Sequence, residues 1–263
     1  KKGNADLNAH RIVAVVGTRH ASDVGKKVTD ELVCAAIKDE VIFVSGLARG
    51  IDIALHKACL KNDVPTIAVL AGGFRHVYPL ENAVYVDTIL ANGALISEYA
   101  PHIPPAAYNF PIRNRIIAGL ADATVIVEAA EKGGALITAD YAANYNRTVF
   151  AVPGSLNRPF SKGCNLLIRH NKAMIYTSWE DLMMELNWEQ AKDRLLHHPE
   201  LSQKLFTLNE STIISLLHRE GQLSFNELLQ RSEIQQDDLS LLLLNLELKG
   251  MLQSTTGDGY MLV

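Results

Sequence analysis

VIFVSGLARGIDIALHKAC, Val41 to Cys59, packs a strand, a glycine turn and a helix into one short stretch. Val41 to Val44 is continuously apolar, Ser45, Gly46 and Gly50 punctuate the turn, and the helix opens beside Arg49. A helix N-terminus presents unpaired N–H groups and the positive end of the helix dipole, so anions collect there. Glycines let the backbone approach a phosphate, and Arg49 can fork two hydrogen bonds onto it. The spacing is not the G-x-G-x-x-G of a dinucleotide site, so a plain tight turn of an α/β protein stands as the other reading.

The same unit recurs outward from this stretch. Strands are expected at Ile12 to Val16, Val41 to Ser45, Thr66 to Leu70, Ala94 to Ser97, Ala123 to Ala129, Thr148 to Val152 and Ala173 to Thr177. Their runs are continuously apolar rather than alternating, which marks strands buried on both faces of a parallel sheet. Between them, segments such as Val24 to Ile37 carry apolar residues at helical spacing. The expected fold is α/β: an extended Rossmann-like three-layer sandwich with a mostly parallel sheet, over residues 11–187 after a tail at 1–10. Residues 188–208 turn polar and read as a linker with a helical turn. Three amphipathic helices (Asn209 to Arg219, Ser224 to Arg231, Gln236 to Lys249) and a hairpin turning at Thr256 to Gly259 then predict a small C-terminal winged-helix domain, 209–263.

Composition narrows the function classes. The chain has 263 residues and a formal net charge of −4, which argues against a large, uniformly basic surface but leaves room for a local basic groove. From Phe206 onward three Lys and Arg face eight Asp and Glu, so the acidity sits in the C-terminal segment. Its third helix begins QDDLSLLLL, and two aspartates ahead of a leucine-rich body favour a protein contact or core role over DNA reading. No apolar run reaches the roughly 20 residues of a membrane helix and no signal peptide is evident, so the cytoplasm is the expected location. Cys34, Cys59 and Cys164 are widely spaced and suggest neither disulfides nor a zinc cluster. The chain begins without Met and reads as a piece of a longer polypeptide.

In an open parallel sheet, ligands bind beyond the carboxyl ends of the strands. The residues there form a set: Gly17-Thr18-Arg19, Ser45-Gly46-Leu47-Ala48-Arg49-Gly50, Ala71-Gly72-Gly73, Glu131-Lys132-Gly133-Gly134 and Pro153-Gly154-Ser155. Glycine with Arg, Lys or hydroxyl at one sheet edge points to an extended anionic ligand. NFPIRNRIIAGL, Asn109 to Leu120, adds an aromatic beside two cations: Phe110 precedes Arg113, Asn114 and Arg115. Bases stack on aromatic faces while cations hold phosphates, the way single strands are gripped. The competing reading makes Phe110 core and pairs Arg113 or Arg115 with an acid such as Glu128 or Glu98.

Gly17-Thr18-Arg19, Ser45 to Asp52, Tyr78-Pro79, Ser97-Glu98, Phe110 to Ile117, Glu128, Gly134 to Ala139 and Val152-Pro153-Gly154 together resemble the bacterial DNA-processing protein A family (DprA, or Smf). The resemblance runs from Arg11 to about Trp188, and the family's winged-helix domain fits 209–263, while its N-terminal helical domain has no counterpart here. It implies a protein that binds and protects single-stranded DNA, dimerises through the Rossmann-like domain and loads the RecA recombinase in natural transformation. It also implies that Arg49 contacts a DNA phosphate and that Lys132 lies in the same pocket. Gly133-Gly134-Ala135 departs from the family's usual Ser-Gly-Ser, and Arg169 to Lys172 from its short glycine turn. The DNA-binding set expected on this chain is Gly17, Arg19, Ser45, Gly46, Arg49, Gly50, Phe110, Arg113, Asn114, Arg115, Lys132, Gly133, Gly134, Thr138 and Gly154.

A phosphoribohydrolase-like enzyme acting on nucleoside monophosphates is the alternative, resting on Gly133-Gly134 and Glu128. Such chemistry needs a positioned acid, base or nucleophile, for which Asp52, Glu98 and Glu128 are candidates. Asp52 reads more simply as a first-turn helix residue, and Glu98 and Glu128 as partners of Arg113 or Arg115. With no Walker loop, metal-ligand cluster or Ser-His-Asp order, a non-catalytic binder without cofactor is expected. His56 and Cys59 read as helix packing.

Overall fold

The computed structural model describes residues 1–188, 208–232, 234–248, 251–255 and 259–262. They fall into two compact units, Lys1–Leu186 and Asn187–Val263. The interior of the expected linker and the turn at Thr256-Gly257-Asp258 lie outside the described residues.

The first unit is built on an eight-stranded sheet in the order β1-β5-β4-β3-β2-β6-β7-β8. Its strands are β1 (Lys2–Gly3), β2 (Ile12–Val16), β3 (Ile42–Ser45), β4 (Thr66–Val69), β5 (Ala94–Ile96), β6 (Ala123–Ile126), β7 (Thr148–Ala151) and β8 (Met174–Ile175). Every pairing is parallel except that of β1 with β5. The helices are α1 (Asp23–Ala35), α2 (Ile51–Lys61), α3 (Val86–Asn92), α4 (Asn109–Leu120), α5 (Gly134–Asn144), α6 (Lys162–Arg169) and α7 (Trp179–Glu185).

Period-two alternation sends successive strand residues to opposite faces, and both faces are covered. Ile12, Ala14 and Val16 join Val44, Ile67 and Val69 under Ile117 and Ala118 of α4 and Ala139 and Ala142 of α5. On the other face Ala68 and Leu95 pack with Leu47 and Ile89. Burial on both sides is why the sequence shows unbroken apolar runs. The edge is different: β8 stands last in the sheet, and its Met174 and Ile175 are exposed. The expected tail also contributes β1 and a buried Ala5, which the polar sequence of 1–10 did not announce.

Local chemistry fixes the helix starts. The Ser22 hydroxyl caps α1 by accepting from Gly25 N–H at 3.1 Å, and Asp23 adds negative charge to the first turn. Gly50 and Gly133 stand ahead of α2 and α5 with no side-chain cap; at α2 the Ile51 and Ile53 N–H groups donate instead to the Thr18 and Ala48 carbonyls, while the start of α5 is exposed at Gly133 and Gly134.

In the second unit, helices Leu208–Glu220, Phe225–Ser232 and Gln236–Leu248 surround a core that includes Ile213, Leu217, Leu228, Leu239 and Leu243. Strand Leu252–Thr255 pairs with Gly259–Leu262, which pairs in turn with Gln222–Ser224. That third strand is an addition to the expected helices and hairpin. Too short to show a period, QLS reads from sequence only as the entry to a helix.

Candidate functional site

After β5 the chain crosses back over the sheet through α4 to form β6 on the far side of β2. The loops after β2 and β6 therefore diverge, and a crevice opens between them at the topological switch point. A cavity of about 1040 Å³ occupies it. Gly17 to His20 form one wall, Ala129 to Thr138 another, and Phe110, Pro111, Arg113 and Asn114 of α4 a third, with Tyr78 and Phe160 among the remaining lining residues.

Beside the cavity lies a buried electrostatic clamp. Gly46 N–H donates to Asp52 Oδ2 at 3.1 Å, and Arg113 Nη1 donates to the Gly46 carbonyl at 2.8 Å and to the Val69 carbonyl. A Cβ on Gly46 would lie 2.5 Å from Arg113 Nη2 and 2.7 Å from Asp52 Oδ2, so the glycine is needed for both groups to close in. Burial pushes the Asp52 carboxyl up, with the nearby Arg113 charge opposing it. Burial likewise pushes the Arg113 guanidinium down to about 10, with Asp52 opposing. Arg113 Nε also donates to Asn114 Oδ1 at 3.2 Å, and Asn114 Nδ2 donates to the Gly134 carbonyl at 3.1 Å, which ties α4 to the start of α5.

The turn opening α2 is locked by backbone. Gly50 has φ +77°, and a Cβ there would lie 2.1 Å from the Thr18 carbonyl. Ile51 N–H donates to that carbonyl at 3.2 Å, joining the loops after β2 and β3. Ser45 is buried and its hydroxyl donates to the Val15 carbonyl at 2.7 Å. Thr138 is spent in the same way on the Gly134 carbonyl at 3.2 Å.

The cations divide into two groups. Arg19 and Lys132 are exposed cavity residues; the Arg19 guanidinium sits 5.3 Å from the Phe110 ring centroid, and Lys132 makes no ion pair among the described residues. Arg49 and Arg115 are held by acids. Arg49 forks onto Glu81 through Nε at 2.9 Å and Nη2 at 3.0 Å, which holds its pKa above the usual arginine range, and Arg115 pairs with Glu98. Arg49 is not among the cavity-lining residues, although its neighbour Ala48 is.

Aromatic groups gather at the cavity. Half-buried Phe110 meets Tyr78 edge to face at 5.5 Å, and His20 stacks on Phe160 at 6.0 Å. Phe110 alone was expected here. Tyr78-Pro79 stood among the family-like motifs and His20 follows Arg19, but Phe160 carries no local signal; only folding brings it to His20.

Two expectations need revision. Glu128 does not orient Arg113 or Arg115: it accepts from Ser22 N–H at 2.9 Å and from the Ser22 hydroxyl at 2.5 Å, because β6 ends beside the start of α1. Gly154 lies apart from the large cavity, lining a smaller one of about 330 Å³ with Gly25, Glu128 and Arg158, and its N–H and carbonyl are both taken by Asn165 at 3.1 and 2.8 Å. His56 and Cys59 are buried in α2, with His56 Nδ1 against Thr66 Oγ1 at 2.8 Å. Among the described residues no group of His, Cys, Asp or Glu could hold a metal ion, and no helix is long and apolar enough to cross a membrane.

A family model described as DNA recombination-mediator protein A matches residues 1–187. The DNA processing protein DprA of Bacillus subtilis is 42% identical over 68% of this chain and 60% of its own length. The X-ray structure of DNA processing protein A from Streptococcus pneumoniae is 42% identical, with a TM-score of 0.66 over 70% of this chain and 64% of that one. A structure of DNA processing protein A from Helicobacter pylori, described for its single-stranded DNA binding mode, is 28% identical, with a TM-score of 0.65 over 70% of this chain and 84% of that one. The chain thus spans a little under two thirds of the length of the Bacillus and Streptococcus proteins.

Proposed function

This chain belongs to the DNA recombination-mediator protein A family, and on that premise we propose that its large cavity binds single-stranded DNA without catalysing a reaction. The observation that carries the reading is the meeting of Arg19 and Lys132 with the Phe110–Tyr78 pair in one cavity at the sheet's switch point. The cations and the exposed start of α5 take successive phosphates, and an aromatic face takes a base. The clamp at Gly46 sets the shape of the neighbouring loop, from which Arg49 extends the track. A single strand bends into such a crevice and exposes its bases, while a duplex keeps them stacked. The similarity to DNA processing proteins supports a role in DNA processing, and the likeness to the Helicobacter protein, described for its single-stranded DNA binding mode, supports single-strand binding.

In the same reading the protein acts in the cytoplasm as a homodimer, protecting incoming strands during natural transformation and loading the RecA recombinase onto them. Binding rather than hydrolysis is supported by Glu128, whose carboxylate is engaged with Ser22 at the cap of α1.

Fluorescence anisotropy with a labelled single strand and a matched duplex, titrated with salt, tests the reading. The expected result is tighter single-strand binding that weakens on Lys132→Ala and Arg49→Ala. Unchanged affinity in both variants rules the site out. Release of free base from a nucleoside monophosphate, abolished by Glu128→Gln, would establish a hydrolase instead.

A further inference from the structure

Arg49 is already bound to an anion of the protein's own. Its Nε and Nη2 donate to the two Glu81 oxygens, at 2.9 and 3.0 Å, the same fork with which arginine grips a phosphate. Glu81 comes from a different part of the fold, the turn of 3-10 helix at Leu80–Tyr85 that follows Tyr78, whose ring meets Phe110 at the cavity. Both side chains are open to solvent, Arg49 at 60% and Glu81 at 56% exposure, so a strand can reach the pair.

We infer that Glu81 is a specificity-determining gate on the DNA track: its carboxylate occupies the Arg49 fork, and a strand engages Arg49 only by displacing it. The inference rests on the proposed single-strand reading and adds a selection rule to it. An exposed ion pair contributes little, so displacement is possible, but one isolated phosphate gains nothing by exchanging a carboxylate for itself. A strand already held by Arg19, Lys132 and the Phe110 face delivers its next phosphate at high local concentration and makes the exchange. The gate thus favours polymers over mononucleotides.

The test is a mutant cycle read by anisotropy on a labelled single strand: wild type, Glu81→Gln, Arg49→Ala and the double variant. Glutamine keeps the shape of Glu81 and removes the charge. Glu81→Gln is expected to tighten binding roughly two- to fivefold. The slope of log affinity on log salt is expected to stay near the wild-type value, because the phosphate that meets Arg49 gives up its condensed cation in both proteins, and to fall by about 0.7 in Arg49→Ala. In the Arg49→Ala background Glu81→Gln is expected to have little effect. If Glu81→Gln leaves affinity unchanged or weakens it while Arg49→Ala weakens binding, the gate is wrong and the site reading survives. If tightening persists without Arg49, Glu81 acts by bulk repulsion and the gate is overturned. If neither Arg49→Ala nor Lys132→Ala weakens binding, the site reading fails and the gate with it. Thermal melts of all four proteins show whether each is folded.

Discussion

Asp52 and Arg113 hold Gly46 between them, one accepting from its N–H at 3.1 Å and the other donating to its carbonyl at 2.8 Å. Two buried groups of opposite charge thereby fix the loop that carries Arg49, without either of them standing free in solvent.

Arg113→Ala leaves the Asp52 carboxylate buried without its compensating charge and the Gly46 and Val69 carbonyls without a donor. The expected loss is about 3–5 kcal/mol of stability, readable by urea unfolding. Arg113→Lys is expected to recover only part of it, since an ammonium cannot reproduce the fork. A stability equal to wild type in Arg113→Ala would show that the clamp contributes nothing.

Gly50→Ala and Gly133→Ser are expected to differ in sign. Alanine at Gly50 meets the Thr18 carbonyl and a positive φ, so about 1–3 kcal/mol is lost. At Gly133 a Cβ meets nothing within 4 Å, the backbone is extended, and a serine there can cap α5. That change is expected to be neutral or to stabilise by a few tenths of a kcal/mol. Thermal denaturation of the two variants beside wild type checks both.

Phe110→Ala removes the stacking face together with the Arg19 and Tyr78 ring contacts. Single-strand affinity is expected to fall by about 1–3 kcal/mol, and Phe110→Trp to retain most of it. Equal affinity for Phe110→Ala and wild type would remove the ring from the binding path.

Lys132→Ala is expected to weaken every single strand alike and to reduce the salt slope by about 0.7, because an exposed lysine neutralises one phosphate without reading a base. Sequence-dependent losses in strands of equal length would assign it to base recognition instead.

Burial pushes the His56 imidazole down to about 3 from its usual 6.5. Between those values the unfolded chain binds a proton that the folded chain does not, so stability rises with pH from about 3 to about 6.5 and is fully present above it. The acid-side loss approaches about 1.4 kcal/mol per pH unit inside that window. His56→Gln is expected to flatten the slope of unfolding free energy against pH there by about one proton; an identical slope would place the acid sensitivity elsewhere.

Much of this molecule is legible in its sequence because the signals are local. The unbroken apolar runs correspond to seven sheet strands, and Ser45 to Gly50 to a turn that only glycine completes. β1 and the strand at Gln222–Ser224 are harder to read, since two or three residues carry no period. The candidate site is legible as a set of loops but not as a set of roles. Arg113 looks like a phosphate contact in the motif and is buried on the Gly46 and Val69 carbonyls; Glu128 looks like an arginine partner or a catalytic acid and holds Ser22, the cap of α1.

The amino-acid sequence by itself determined the repeated strand, turn and helix and the basic, glycine-bearing strand ends, because periodicity and turn chemistry act between near neighbours. Tertiary structure alone decided which loops face one another across the crevice and which charges are free. Arg49 meets Glu81 across 32 residues and Arg113 meets Gly46 across 67, contacts set by the strand order β4-β3-β2-β6. An arginine three positions from a glycine has the same sequence whether its fork is empty or filled; the folded chain fills it with Glu81.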